Sequence, residues 1–168
     1  LVKERENIGF SYDIANASFA LLAYQLQNEE PEFFKLDSYK VVSEKRLSAK
    51  GEWVTSSDAI LKLEVFDKKI IHVAEGNGPV SALDQAFRKL LTQYFPVLSN
   101  SRLTDYKVRI LNSDAATNAQ IRVLVETIDN EGSRWTSVGV ATDIIDASYM
   151  ALNDSINYLL LFGKKTSN

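Results

Sequence analysis

Gly76, Asn77, Gly78 and Pro79 stand between an apolar, strand-like run and an amphipathic segment in HVAEGNGPVSALDQAFRKLL, residues 72–91. Glycines let backbone N–H groups approach an anion closely, and the first turn of a helix adds a positive dipole, so a turn of this type suits a phosphate or a carboxylate. The specific phosphate signatures are missing. No Lys-Ser or Lys-Thr follows the glycines as in G-x-x-x-x-G-K-[ST], and there is no G-x-G-x-x-G. A strand-to-helix turn with proline at the first helical position accounts for the same residues. A small carboxylate at the N–H groups stays compatible with that reading.

The remaining chemistry-bearing residues form no catalytic set. His72 is the only histidine, which excludes a multi-histidine metal site and a relay through a second imidazole. Ser81 or Ser137 could be drawn into a Ser-His-Asp arrangement, but no G-x-S-x-G elbow supports it. Asp143 and Asp146 read as a helix cap and a first-turn charge rather than a pair for acid-base work. Tyr94, Phe95, Tyr106 and Trp135 could stack on nucleic-acid bases. A stacking site also needs a basic groove, and Lys107, Arg109 and Arg122 instead alternate with apolar residues like the solvated sides of strands. The residue chemistry favours a binding or assembly module.

The 168 residues, 45% of them hydrophobic, suffice for one well-buried globular domain. The 19 basic and 22 acidic side chains give a net charge of −3 and are scattered, which argues against a nucleic-acid partner or an anionic membrane surface. No apolar run approaches the roughly 20 residues of a membrane span. The absence of cysteine suits a reducing compartment, with cytoplasm the expected location. The sequence starts at Leu1 rather than a methionine, so a segment of a longer protein is expected.

Several elements must position these residues. Ile14, Ala17, Ser18, Leu21, Leu22 and Leu26 recur at helical spacing behind a cap at Ser11 or Asp13, so residues 1–37 read as a helical arm. Period-two alternation then predicts strands over 39–47, 59–66 and 70–73, with a hairpin turn at FDKKI, followed by a helix from Pro79 to about Phe95 that Pro96 stops. The order repeats as strands over 106–111, 121–128 and 135–140, with turns at NSDAATN and DNEGS, and a helix over 144–162. A 65-residue shift lays Pro79, Val80, Ala82, Ala86 and Phe87 over Ile144, Ile145, Ala147, Ala151 and Leu152. The expected fold is α+β, an internal duplication of two βββα units with pseudo-twofold symmetry. The arm, 1–37, precedes a domain over 38–168 whose units are 38–98 and 103–162. Each unit is too small to bury its own sheet face well, so the pair should pack together and form a dimer.

Three stretches carry a family resemblance: A-E-G-N-G-P-V-x-A-L-D from Ala74, D-Y-K-V-R from Asp105, and V-G-V-x-x-x-I-I-x-A-S from Val138. Their order and spacing resemble the C-terminal regulatory domain of the 2-isopropylmalate synthase and citramalate synthase family, over residues 38–162. Upstream, GFSYDIANASFALL and EFFKLDSYKVVSEK are similar to the linker of the citramalate synthase branch. The resemblance implies a parent acyltransferase that condenses acetyl-CoA with a 2-oxo acid, pyruvate in the citramalate branch, on a divalent metal held in an N-terminal TIM barrel. That barrel is not in this sequence, so the chain itself should be catalytically silent, with no cofactor of its own. It further implies a homodimer that binds the pathway end product as feedback inhibitor: isoleucine in citramalate synthases, leucine in 2-isopropylmalate synthases. A purely structural dimerisation domain is the alternative.

Such an effector needs a dry aliphatic pocket and polar groups for its charged ends. Laid over this sequence, the pocket falls to Ile70, Leu91, Tyr94, Leu98 and Val108, with Trp135 and Val138 as secondary candidates. Polar recognition falls to backbone groups around Gly76, Asn77 and Gly78 or in the turn before Trp135. Ala141, Thr142 and Asp143 stand where Ser, any residue and Asn are common in the family, so no side-chain role is carried over to them.

Overall fold

Val65 and Lys68 face each other across a two-residue turn in which Phe66 and Asp67 both have positive φ, 49° and 60°. This is the turn whose twist matches that of paired strands, and it closes the hairpin expected at FDKKI. The computed structural model describes residues 1–28, 31–111 and 119–163. The turn expected at NSDAATN, residues 112–118, lies outside them.

In chain order the elements are α1 (Val2–Asn7), α2 (Asn16–Gln25), β1 (Lys35–Leu47), β2 (Trp53–Val65), β3 (Lys68–Gly76), α3 (Pro79–Leu91), a 3-10 turn (Pro96–Asn100), β4 (Ser101–Leu111), β5 (Gln120–Asp129), β6 (Arg134–Ala141) and α4 (Ile144–Phe162). Two three-stranded antiparallel sheets result, ordered β1-β2-β3 and β4-β5-β6. The chain divides into two compact units, Glu32–Pro96 and Leu1–Pro31 together with Val97–Asn168.

The duplication reaches fine detail. Register slips between Leu36 and Ser38 in β1 and between Leu103 and Asp105 in β4, bulges 67 positions apart. At the other end, Gly76 and Ala141 close the third strands and Pro79 and Ile144 open the helices, each pair 65 positions apart. In the 32–96 unit, Ala59, Leu61, Leu63 and Val65 alternate inward from β2 against Ala82, Leu83, Ala86, Phe87 and Leu90 of α3. Alternation along the strand meets the 3.6-residue stripe of the helix, and the shared face excludes water.

The second unit uses smaller, polar residues at its helix–sheet contact. Ser137 Oγ donates to the Ala151 carbonyl at 2.6 Å, Thr127 and Ser155 hydroxyls meet at 2.7 Å, and Tyr106 OH and Ser148 Oγ meet at 3.2 Å. Among the described residues, no buried side-chain polar atom lacks a partner, as close-packed interiors require.

The structure redraws the arm. The helical spacing over residues 14–26 forms one helix, α2, trimmed at both ends, and a further short helix, α1, precedes it across Gly9, whose φ of +116° is a conformation that L side chains rarely adopt. Ser11 and Asp13 cap nothing: their side chains bond to each other at 2.8 Å, and Ala15 holds the N-cap of α2. Ile14 and Leu26 are exposed, while Ala17, Ser18, Leu21 and Leu22 are buried. The arm joins the core of the second unit, where Phe10, Tyr12, Ala15 and Leu22 cluster with Val138 and Val140, with Met150 of α4 packed against them. It also serves the free edge of β6: the Thr136 N–H donates to Asn16 Oδ1 at 2.7 Å and the Val138 N–H to Ser18 Oγ at 2.9 Å. Unpaired edge N–H groups are thereby satisfied.

Strands run longer than expected because their extensions pair without burying apolar side chains. β1 begins at Lys35, inside the stretch read as arm, and β2 adds Trp53 to Asp58. α3 ends at Leu91 rather than near Phe95. Phe95 precedes a proline and is disfavoured from helix, so residues 92–95 close as turns onto the Leu91 carbonyl.

Candidate functional site

The two glycines of the EGNGP turn answer to different physical needs. A Cβ on Gly76 would stand 2.4 Å from the Ala82 nitrogen, so the end of β3 and the first turn of α3 approach too closely for any side chain. A Cβ on Gly78 would meet nothing within 4 Å. Gly78 is the N-cap of α3 in extended backbone, its carbonyl accepting the Ala82 N–H at 2.9 Å, and it brings no side chain to the first-turn N–H groups.

The 65-residue shift places Asp143 at the position of Gly78. Asp143 caps α4 with its own carboxylate, Oδ1 accepting from the Ile145 and Asp146 N–H groups at 2.8 and 3.0 Å. One unit therefore carries a carboxylate on its helix N-terminus, and its counterpart has no side chain there but room for a Cβ at Gly78. The expected capping role of Asp143, with Asp146 in the first turn, is what the structure shows.

The other candidate residues divide between the units. In the 32–96 unit Ile70 pairs with Leu63 on the helix-covered face of the sheet and is half-buried, Leu91 is fully buried, and Tyr94 is half-buried with its ring 6.3 Å from that of Phe66. Asn77 is exposed beside the two glycines. Leu98 and Val108 belong to the other unit, Leu98 buried and Val108 42% exposed opposite Val123.

Trp135 and Val138 are not brought together. Three positions apart on β6, they point to opposite faces. Trp135 packs under α4, its indole N–H bonding to Ser155 Oγ at 2.9 Å, and Val138 packs against the arm. The parity of their spacing was a readable signal for this.

Asp84 and Arg88 on α3 form an ion pair at 2.9 Å in which both side chains are mostly covered. Burial pushes the Asp84 carboxyl up, against the opposing pull of the Arg88 guanidinium. Among the described residues no group of three or more metal-ligating side chains occurs, and no helix is long and apolar enough to cross a membrane.

Sequence reasoning missed Gly139 as a packing residue. Its Cβ would lie 1.9 Å from the Ala147 carbonyl oxygen. Under the 65-residue shift it falls on Ala74 rather than Gly76, which hides the equivalence: each third strand meets its helix through one glycine, one β-repeat apart. The V-G-V pattern was the available signal.

The architecture defines a duplicated βββα domain of the α+β class. The chain belongs to the LeuA allosteric (dimerisation) domain family, which it matches over residues 8–160. It is 43% identical over 157 residues to an (R)-citramalate synthase of Synechocystis sp., covering 94% of this chain and 28% of that protein. An (R)-citramalate synthase of Geobacter sulfurreducens is also 43% identical, over 95% of this chain and 29% of its own length. A 2-isopropylmalate synthase of Erwinia tasmaniensis is 30% identical, over 88% and 24% respectively. The chain thus spans less than a third of the length of the curated relatives it matches.

Proposed function

We propose that the chain is the effector-binding and dimerisation part of a citramalate synthase and that it senses isoleucine. The observation that carries the binding reading is the contrast at the helix starts: where α4 holds the Asp143 carboxylate, α3 offers free space at Gly78. The effector's carboxylate takes that place, with its side chain beside the first turn of α3; Ile70, Leu91 and Tyr94 stand at the other ends of β3 and α3, about 18–20 Å away, too far for one amino acid to reach from Gly78. The higher identity to citramalate synthases than to 2-isopropylmalate synthases favours isoleucine over leucine as the ligand.

The condensation of acetyl-CoA with pyruvate belongs to a catalytic barrel with its divalent metal, outside these residues, and a cytoplasmic location follows from that chemistry. Feedback inhibition then requires isoleucine to bind two states of the whole enzyme with different affinity. Self-association as a homodimer is supported by the family's description and by Val42, Ile71 and Val73, exposed together on the face of β1-β2-β3 away from α3.

Tyr94→Ala tests whether the other end of α3 takes part. The variant keeps the fold, since the side chain is half-exposed, and removes an aromatic wall of the kind that dominates binding sites. Equilibrium dialysis is expected to give unchanged isoleucine binding. Binding weaker by about tenfold or more places the effector at that end and not at Gly78. Sedimentation is expected to give a dimer, and a monomer at all concentrations contradicts the dimerisation reading.

A further inference from the structure

A cavity of about 200 Å³ opens inside the unit that contains the arm, between α1 and α2 on one side and α4 on the other. Its lining carries opposite charges. Arg5 lies on the arm side, its guanidinium 3.3 Å from Tyr12 OH and 5.7 Å from the centre of the Phe10 ring. Arg5 forms no ion pair among the described residues, although a guanidinium has five donors suited to a carboxylate. On the α4 side stand Asp154, Asn153 and Tyr149. Leu21, Leu22 and Met150 supply apolar wall.

We propose that this cavity is a second small-molecule site, built for a zwitterionic α-amino acid with an aliphatic side chain. Arg5 takes the carboxylate, Asp154 the ammonium, and Leu21, Leu22 and Met150 the side chain. Asp154 already engages a neighbour within the protein, and a carboxylate has about four acceptor sites, so an ammonium adds to that contact without displacing it. Burial, with the Asp154 charge beside it, pushes the Tyr149 phenol up to about 12, so it stays a neutral hydroxyl at physiological pH. A phosphate fits poorly beside Asp154. A purely apolar ligand would strip water from Arg5 and Asp154 without replacing its hydrogen bonds.

The site is separate from the one proposed at Gly78 and does not rest on it. Its position has a consequence for regulation: the arm that forms one wall also satisfies the β6 edge through Asn16 and Ser18. A ligand bridging Arg5 to Asp154 ties the arm to α4 and holds that edge covered.

Met150 is the only methionine in the chain, so methyl-labelled methionine gives a single NMR signal from the cavity wall. Titrating isoleucine into the full chain is expected to move that signal saturably. Arg5→Gln, on a helix that has no buried residue, is expected to raise the apparent Kd read from the signal about tenfold or more, and Gly78→Asp to leave it unchanged. The absence of a shift overturns the proposal. So does a shift that persists in Arg5→Gln and is lost in Gly78→Asp, because it then reports the other site.

Discussion

Gly139→Ala is expected to lower the thermal midpoint of the chain by about 6–12 °C, the equivalent of about 3 kcal/mol in a protein of this size. The added methyl would stand 1.9 Å from the Ala147 carbonyl oxygen and 2.9 Å from both the Ala147 carbonyl carbon and the Ala151 nitrogen, all backbone atoms of α4. No side chain can swing aside, so the helix itself must move off β6. That movement stretches the 2.6 Å bond from Ser137 Oγ to the Ala151 carbonyl and the 2.9 Å bond from the Trp135 indole to Ser155, leaving buried polar groups without partners. Gly78→Ala is the control: its methyl meets nothing within 4 Å, and the extended backbone at φ −167° suits any residue. Its midpoint should stay within about 2 °C of the unchanged chain. Calorimetric melting of the two variants side by side checks the pair, and equal midpoints contradict the close-approach argument.

Gly78→Asp is expected to separate stability from binding. It recreates in α3 the cap that Asp143 gives α4, where one carboxylate oxygen accepts two first-turn N–H groups. Exchanging glycine for aspartate at an N-cap gains a few tenths of a kcal/mol, and the helix dipole adds a similar amount, so a stabilisation of about 0.5 kcal/mol is expected. The same carboxylate occupies the place proposed for the effector's own. Isoleucine binding should fall by at least about tenfold, from lost hydrogen bonds and like-charge repulsion. A variant that is both stabilised and binds isoleucine normally shows that the carboxylate is held elsewhere.

Much of this was legible because local signals agreed with the tertiary outcome. α4 runs from Ile144 to Phe162 as its spacing predicts, since Asp143 is a self-sufficient cap and the apolar stripe from Ala147 to Leu159 has one sheet to cover. The strands were under-read where pairing continues without burial. Ser56 and Asp58 hold register with Glu44 and Val42, yet they do not continue the apolar alternation. The arm helix was read correctly in kind but too long: Ile14 and Leu26 keep helical spacing yet are exposed beyond its ends, and what fixes its place is the demand of the β6 edge for Asn16 and Ser18. That demand is invisible without the sheet.

The glycine turn was recognisable as a motif, but not the division of labour within it. Gly76 is required by a backbone approach to Ala82, while Gly78 leaves the N-cap without a side chain and with room for one. Both read as glycine before a helix, and only the distance between β3 and α3 separates them. The matched bulges in β1 and β4 likewise record the duplication in backbone geometry rather than in residue identity.

The central claim is that this chain binds an aliphatic amino acid end product, and titration calorimetry of isoleucine into the 168-residue chain tests it most directly. The predicted result is a saturable heat for isoleucine, with leucine binding at least several-fold more weakly, as a difference of about 1–3 kcal/mol in pocket fit allows. No saturable heat for either amino acid contradicts the sensing claim and leaves a structural dimerisation domain; tighter binding of leucine contradicts the assignment to a citramalate synthase.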